Sequence, residues 1–269
     1  MHLWQAAVMG IVEGLTEFLP VSSTGHLILA ARVMHLQGDA AKTFEVVIQA
    51  GALAAVLGLY WPHIIAMAEG MLGRNARGRQ LLTALLVSFF PAAVAGLLLR
   101  KTIKARLFSA WPVVGALAVG GVLMILSDKW FAGRKPQTGK TLHAVTPAEA
   151  LLVGLAQCLA LWPGTSRSMV TILAGLSLGW TSTMAAEYSF LLALPTLGAA
   201  TLLDFVKDGR VLVEQLHWKA ILCGYVTAGI VAALAIKGFI RHLSRNGLAP
   251  YGWYRLGLAA IILLAAFLR

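Results

Sequence analysis

The sequence predicts an all-α integral membrane protein, a polytopic helical bundle with inverted repeats and two broken or re-entrant helical regions. Three observations predict it. The chain is 59% hydrophobic and only 12% charged, where a soluble domain carries about 25% charge, and its mean hydropathy is +0.79. Uninterrupted apolar stretches recur at the length a bilayer demands, about 20 residues once flanks are counted. Two further apolar regions, residues 3–31 and 149–180, are interrupted at matching places by a proline and a run of hydroxyls.

The plain crossings are expected at Val46–Tyr60, Leu81–Leu99, Trp111–Leu126, Leu191–Leu203, Ile221–Ile236 and Leu256–Leu268. Backbone groups in lipid must bond within their own segment, so these are helices; a barrel would show short alternating strands. The basic residues gather in short loops: Arg74, Arg77 and Arg79, then Arg100, Lys101, Lys104 and Arg106, then Lys129, Arg134, Lys135 and Lys140. Lys and Arg in such places set topology and touch anionic lipid. The net charge of +11 therefore points to membrane lipid and away from nucleic acid. Successive loops are all basic although they should alternate sides, so charge bias leaves orientation open. Cys158 and Cys223 sit in apolar surroundings without a CxxC or Cys/His pattern, which excludes a zinc or redox motif. The first apolar run lacks the basic start and small-residue cleavage site of a signal peptide.

Residues 3–31 are interrupted by Glu13, Glu17, Pro20 and "SSTGH", and residues 149–180 by "WPGTSRS". Such segments span poorly, and their irregular backbone is tolerated where it is buried in protein or lines a wet cavity. Placing Pro20 over Pro163 puts Ser23 over Ser166, and each proline precedes a glutamate, Glu45 or Glu187, by about the same interval. One membrane domain, residues 1–269, thus divides into two repeat halves, 1–143 and 144–269. Interrupted segments at corresponding places point to a shared site near the midplane.

Glu13 and Glu17 lie one turn apart on one helix face. A charge at the centre of a membrane helix costs roughly 2.5–3.5 kcal/mol, so the pair either sits solvated near the headgroups or works, holding a divalent cation or serving as general base. Ser22, Ser23, Thr24 and Gly25 form an N-cap signature, and the same helix start with its free N–H groups suits an anion. His26 adds a titratable group beside them. In the second half Arg167 stands alone in an uncharged stretch from Leu151 to Trp180. Its planar fork suits a phosphate, with Thr165, Ser166, Ser168 and Thr171 as surrounding donors. The plainer reading is an ion pair with Glu13, Glu17 or Glu187, and one arginine can serve both. Carboxylates, a serine and a histidine from one half, with arginine and hydroxyls from the other, suit a phosphorylated substrate. An intramembrane site implies that this substrate has a lipid tail, each buried methylene holding it by about 0.8 kcal/mol.

"EGLTEFLPVSSTGH" followed by "KTFEVVIQ", and "ALWPGTSRSMVTI" followed by "EYSFLLALP", closely resemble the undecaprenyl-diphosphate phosphatases of the bacitracin-resistance type, over essentially the whole chain. The resemblance implies hydrolysis of undecaprenyl diphosphate to the monophosphate carrier used for peptidoglycan and other wall polymers. It implies a multi-pass protein of the bacterial inner membrane, a site opening to the periplasm, a divalent cation (Mg2+ or Ca2+) and homodimers. The family's functional residues fall on Glu13, Glu17, Ser23, Thr24, His26, Ser166 and Arg167. Arg167, Thr24, Ser166 and loop N–H groups are expected to grip the diphosphate, with Ser22, Ser168 and Thr171 beside them. Ser23 attacks, Glu17 takes its proton, and Glu13 with Glu17 hold the metal. His26 positions Ser23 or protonates a leaving oxygen, or is itself the nucleophile. Inverted repeats and broken helices are also features of secondary transporters and lipid flippases, the rival expectation.

Overall fold

The computed structural model describes residues 1–36, 39–107, 110–131, 133, 137, 139–215 and 217–267. Arg134 and Lys135 lie outside the described residues, as do the side chains of Arg100, Lys104 and Arg106. The chain forms eleven α-helices among these residues: α1 (Leu3–Thr16), α2 (Ser23–Val33), α3 (Asp39–Leu59), α4 (Trp61–Met71), α5 (Ala76–Arg106), α6 (Ala110–Phe131), α7 (Pro147–Gln157), α8 (Arg167–Ser177), α9 (Ser182–Gln215), α10 (Trp218–Asn246) and α11 (Ala249–Phe267). A 3-10 turn, Cys158–Leu161, extends α7. Among the described residues four helices, α5, α6, α9 and α10, are long and apolar enough to cross a membrane, which gives four spans, or five if the bent pair α3–α4 is one. Their outward residues are apolar too: Phe90, Leu97 and Leu98 on α5 and Leu234 on α10 are exposed, as a lipid-facing surface requires. The protein is a multi-pass membrane protein.

The expected crossing Val46–Tyr60 falls in α3 and closes at a sharp bend. α3 turns by 82° into α4, so the apolar stretch ends there. Pro62 in the first turn of α4 has no N–H to return to the preceding turn, so the α3 ladder stops before it. The last stretch lies in α11, Ala249–Phe267, of 19 residues; Leu268 lies outside the described residues.

The broken regions are the short helices α1–α2 and α7–α8. Each sits against a long helix of the other half, α1 on α10 and α7 on α5. Close approach needs small residues. A Cβ on Gly10 would lie 2.7 Å from the Gly224 carbonyl oxygen, and one on Gly154 would lie 2.5 Å from that of Ser88. Backbone cannot yield there, so glycine sets the crossing distance. The two glycines are 144 residues apart. So are the starts of α1 and α7, at Leu3 and Pro147, and of α2 and α8, at Ser23 and Arg167. The proline-on-proline register is therefore one residue off. Ser22 matches Ser166: both cap the following helix with left-handed backbone, at φ 71° and 72°. The counterpart of Ser23 is Arg167. The prolines mislead because the second loop places Gly164, at φ 94°, where the first has Pro20.

Edge-to-face rings lock the first loop into the core. Phe18 meets Phe190 of α9 at 5.5 Å, Phe190 meets Phe239 of α10 at 6.0 Å, and Phe239 meets Tyr251 of α11 at 5.1 Å. Each such pair contributes about 0.5–1.5 kcal/mol beyond its buried area.

Candidate active site

The site forms where the loops before α2 and α8 meet. α1 ends on Glu17, whose N–H donates to the Glu13 carbonyl at 2.9 Å. Both carboxylates are buried, Glu13 at 1% and Glu17 at 8% exposure, so they are not solvated at a headgroup surface. The chain then turns through the anchored Phe18 to Ser22. Left-handed backbone at a non-glycine residue costs about 1–3 kcal/mol and persists only where the surroundings over-determine it. Here both cap serines carry it.

Ser23 opens α2 and donates its Oγ–H to Glu17 Oε2 at 2.6 Å. From the other loop, the Arg167 guanidinium comes within 3.6 Å of Glu17 Oε1. Its Nη1–H donates to the Ser189 carbonyl at 2.8 Å, and it lies 5.9 Å over the Phe18 ring. Of the three carboxylates available to Arg167, the ion pair is made with Glu17. The loops are stitched together: Ser168 donates to the Leu19 carbonyl at 3.0 Å and shares a 3.0 Å bond with Ser166. Thr171 donates to the Arg167 carbonyl at 2.9 Å and to Ser189 Oγ at 2.7 Å. Among the described residues three buried side-chain atoms have no hydrogen bond: Glu13 Oε2, Arg167 Nε and Arg167 Nη2, the last of which faces Glu17 in the ion pair. Buried polar groups are nearly always satisfied, so the unbonded nitrogens of Arg167, which lines a pocket, mark where an anion fits.

A pocket of about 150 Å³ opens beside them, lined by Glu17, Ser22, Ser23, Thr24, Ser166 and Arg167, together with Gln49, Trp162, Gly164 and Leu197. Its size and polar lining suit a phosphate-sized head group. Glu13, Ser168 and Thr171 are not among the lining residues; Thr171 holds the Arg167 carbonyl and Ser168 ties the two loops. His26 is outside the pocket as well. Its Nδ1 is 2.8 Å from the Ser22 carbonyl, to which it donates, and its Nε2 is 2.6 Å from the Tyr254 hydroxyl. A carbonyl only accepts, so Nδ1 carries the proton and a neutral ring takes the Tyr254 O–H at Nε2. Neither nitrogen reaches Ser23.

Sequence reasoning missed four residues here: Gln49, held by Thr201 at 2.9 Å, Ser189, Tyr254 and Arg255. Arg255 alone had a signal, a cation at the edge of the last apolar run, a weaker form of the feature that singles out Arg167. Among the described residues no three His, Cys, Asp or Glu side chains converge as a metal cage.

Comparison with known proteins places the chain in a family. The sequence pattern described as "Bacitracin resistance protein BacA" matches residues 6–261. The chain is similar to the undecaprenyl-diphosphatase of Sorangium cellulosum (strain So ce56), 48% identical over 264 residues that cover 98% of this chain and 86% of that one. It is 44% identical to that of Nitrosomonas europaea over 267 residues, 98% and 95% of the two chains. With that of Thermoanaerobacter pseudethanolicus it shares 40% identity over 262 residues, 97% and 96%. This chain belongs to the bacitracin resistance protein BacA family.

Proposed function

We propose that this protein is a membrane-embedded undecaprenyl-diphosphatase. It removes the terminal phosphate of undecaprenyl diphosphate and returns undecaprenyl phosphate for peptidoglycan and wall-polymer synthesis, which confers bacitracin resistance. The observation that carries the reading is a serine hydroxyl on a buried carboxylate, 2.6 Å away, beside a guanidinium with two buried nitrogens that make no hydrogen bond, one of them in the ion pair with Glu17. The relatives that match nearly the whole chain bear the name undecaprenyl-diphosphatase.

In the proposed reaction the diphosphate enters between the loops. Arg167 turns Nε and Nη2 onto the terminal phosphate, with Thr24, Ser166 and loop N–H groups beside it. Glu17 takes the Ser23 proton as Oγ attacks the terminal phosphorus. The bond from phosphorus to the bridging oxygen breaks, and undecaprenyl phosphate leaves. Water then hydrolyses the phosphoserine, Ser23 recovers its proton and inorganic phosphate departs. His26 holds the strained Ser22 carbonyl and so the position of Ser23.

A divalent cation fits the carboxylates. The free oxygen of buried Glu13 next to Glu17 is a hard-oxygen donor set, and one or two carboxylates completed by phosphate oxygens and water is the habit of Mg2+ rather than of a Ca2+ cage. Glu13 and Glu17 would hold it, and when bound it would neutralise phosphate charge.

Purified protein in detergent with Mg2+ is expected to release one inorganic phosphate per prenyl diphosphate, and chelation to stop it. No phosphate in detergent, with lipid movement in sealed vesicles, would replace the enzyme by a transporter or flippase. We place the protein in the bacterial inner membrane with the pocket open to the periplasm. The support is the family resemblance, together with Thr24, an exposed pocket residue. A cysteine introduced at Thr24 is expected to react with an impermeant thiol reagent added outside spheroplasts. Reaction only after permeabilisation would reverse the orientation.

A further inference from the structure

Arg255 on α11 is fully buried, at 0% exposure, and among the described residues no carboxylate pairs with it. All of its guanidinium nitrogens donate to backbone carbonyls instead. Nε reaches Leu117 at 3.3 Å and Nη2 reaches Ala116 at 2.9 Å, both on α6. Nη1 reaches Pro20 at 3.2 Å in the first loop and Thr165 at 3.0 Å in the second, and Nη2 also reaches Gly164 at 2.9 Å. Burying an arginine without a counter-charge is expensive unless every donor is satisfied. A methionine or leucine would serve a merely apolar core better. The bonded carbonyls are also placed where they matter. Pro20 stands two residues before Ser22, and Gly164 and Thr165 stand two and one before Ser166. Those serines hold the left-handed backbone that aims Ser23 and Arg167 at each other. α6 makes room for the fork with Gly120, where a Cβ would lie 2.4 Å from Arg255 Nη2.

We infer that Arg255 is a positioning residue of the phosphate pocket: its planar, fully engaged fork ties both loops to α6 and sets the gap between Ser23–Glu17 and Arg167. The inference rests on the pocket reading above. Arg255 touches no substrate; it acts through the loop carbonyls. A lysine keeps the charge but offers a single nitrogen with three donors, so it cannot span three segments. Neighbouring Tyr254 adds a second tie to the same loop through His26 and the Ser22 carbonyl.

The test compares Arg255→Lys, Gly120→Ala and Ser23→Ala on a prenyl diphosphate in detergent with Mg2+, with thermal unfolding of each. Gly120→Ala keeps the arginine and displaces its fork. A misplacement of about 1 Å costs on the order of 100-fold in rate. Arg255→Lys is therefore expected to lose about that factor in kcat, with KM within about threefold and a folded protein. Gly120→Ala is expected to fall in kcat in the same way, by about tenfold, because the fork shifts without being lost. Parent-like kcat in folded Arg255→Lys and Gly120→Ala overturns the inference, as does a loss that only follows the unfolded fraction. If Arg255→Lys does not fold, Gly120→Ala decides by the same criterion. Turnover surviving in Ser23→Ala overturns the pocket reading itself. A dead Ser23→Ala beside parent-like Arg255→Lys and Gly120→Ala overturns only the role of Arg255.

Discussion

Ser23→Ala is expected to release phosphate at least about 10³-fold more slowly than the parent, at unchanged thermal stability. The Oγ–H lies 2.6 Å from Glu17 Oε2, a charge-assisted bond short enough for direct proton transfer. Removing a nucleophile leaves only what binding and electrostatic stabilisation supply, and such losses reach 10³ or more. The fold should tolerate the change, since Ser23 is part-exposed and its hydroxyl bonds no backbone carbonyl. Ser22→Ala is the matched control. Ser22 makes no side-chain cap bond, and alanine there is expected to cost less than about tenfold. His26→Gln separates the rival nucleophile: with Nδ1 committed to Ser22 and Nε2 to Tyr254, it should lose tens-fold, well short of Ser23→Ala. Rapid quenching with a labelled terminal phosphate should trap phosphoserine at residue 23. Near-parent turnover in Ser23→Ala, or label on His26, would make Ser23 a bystander.

How much of this is legible in the sequence depends on the energy each residue reports. Glu13, Glu17 and Arg167 are legible because an ion in an apolar run is costly and needs a reason. The spans are legible because lipid fixes their length. The bend after Tyr60 hides inside a stretch of good hydropathy, although Pro62 marks it. The register between the halves is not legible, because proline draws the eye while the matched feature is the backbone angle of a serine. Ser189 and Gln49 are invisible for a different reason. A hydroxyl or amide in a membrane helix bonds locally or across helices for about 1 kcal/mol, too little to mark a sequence. Their importance comes only from facing Arg167 and the pocket. Arg255 carries a weaker form of the Arg167 signal, and an arginine at the edge of an apolar run is ordinarily one that reaches for the headgroups. Only the fold shows that it points inward.

Arg167→Lys is expected to cut kcat by about 10²–10³, the loss seen when one preorganised donor to a developing charge is removed. Lysine can keep one contact, either to Ser189 or to Glu17, and cannot present a second and third nitrogen to the phosphate. Arg167→Ala goes further. It leaves Glu17, at 8% exposure, without its cation at 3.6 Å, and breaking a buried pair costs about 3–5 kcal/mol of stability. A dead alanine variant is therefore ambiguous, and the double variant Glu17→Gln with Arg167→Gln resolves it. Two amides can bond each other in the same space without an uncompensated charge. That protein should recover most of the parent's thermal midpoint and still release no phosphate above about 10⁻³ of the parent rate. If the double variant regains turnover along with stability, the ion pair is structural and the anion grip lies elsewhere in the pocket. If Arg167→Lys turns over like the parent, a point charge suffices, and the two nitrogens without hydrogen bonds have no part in holding phosphate.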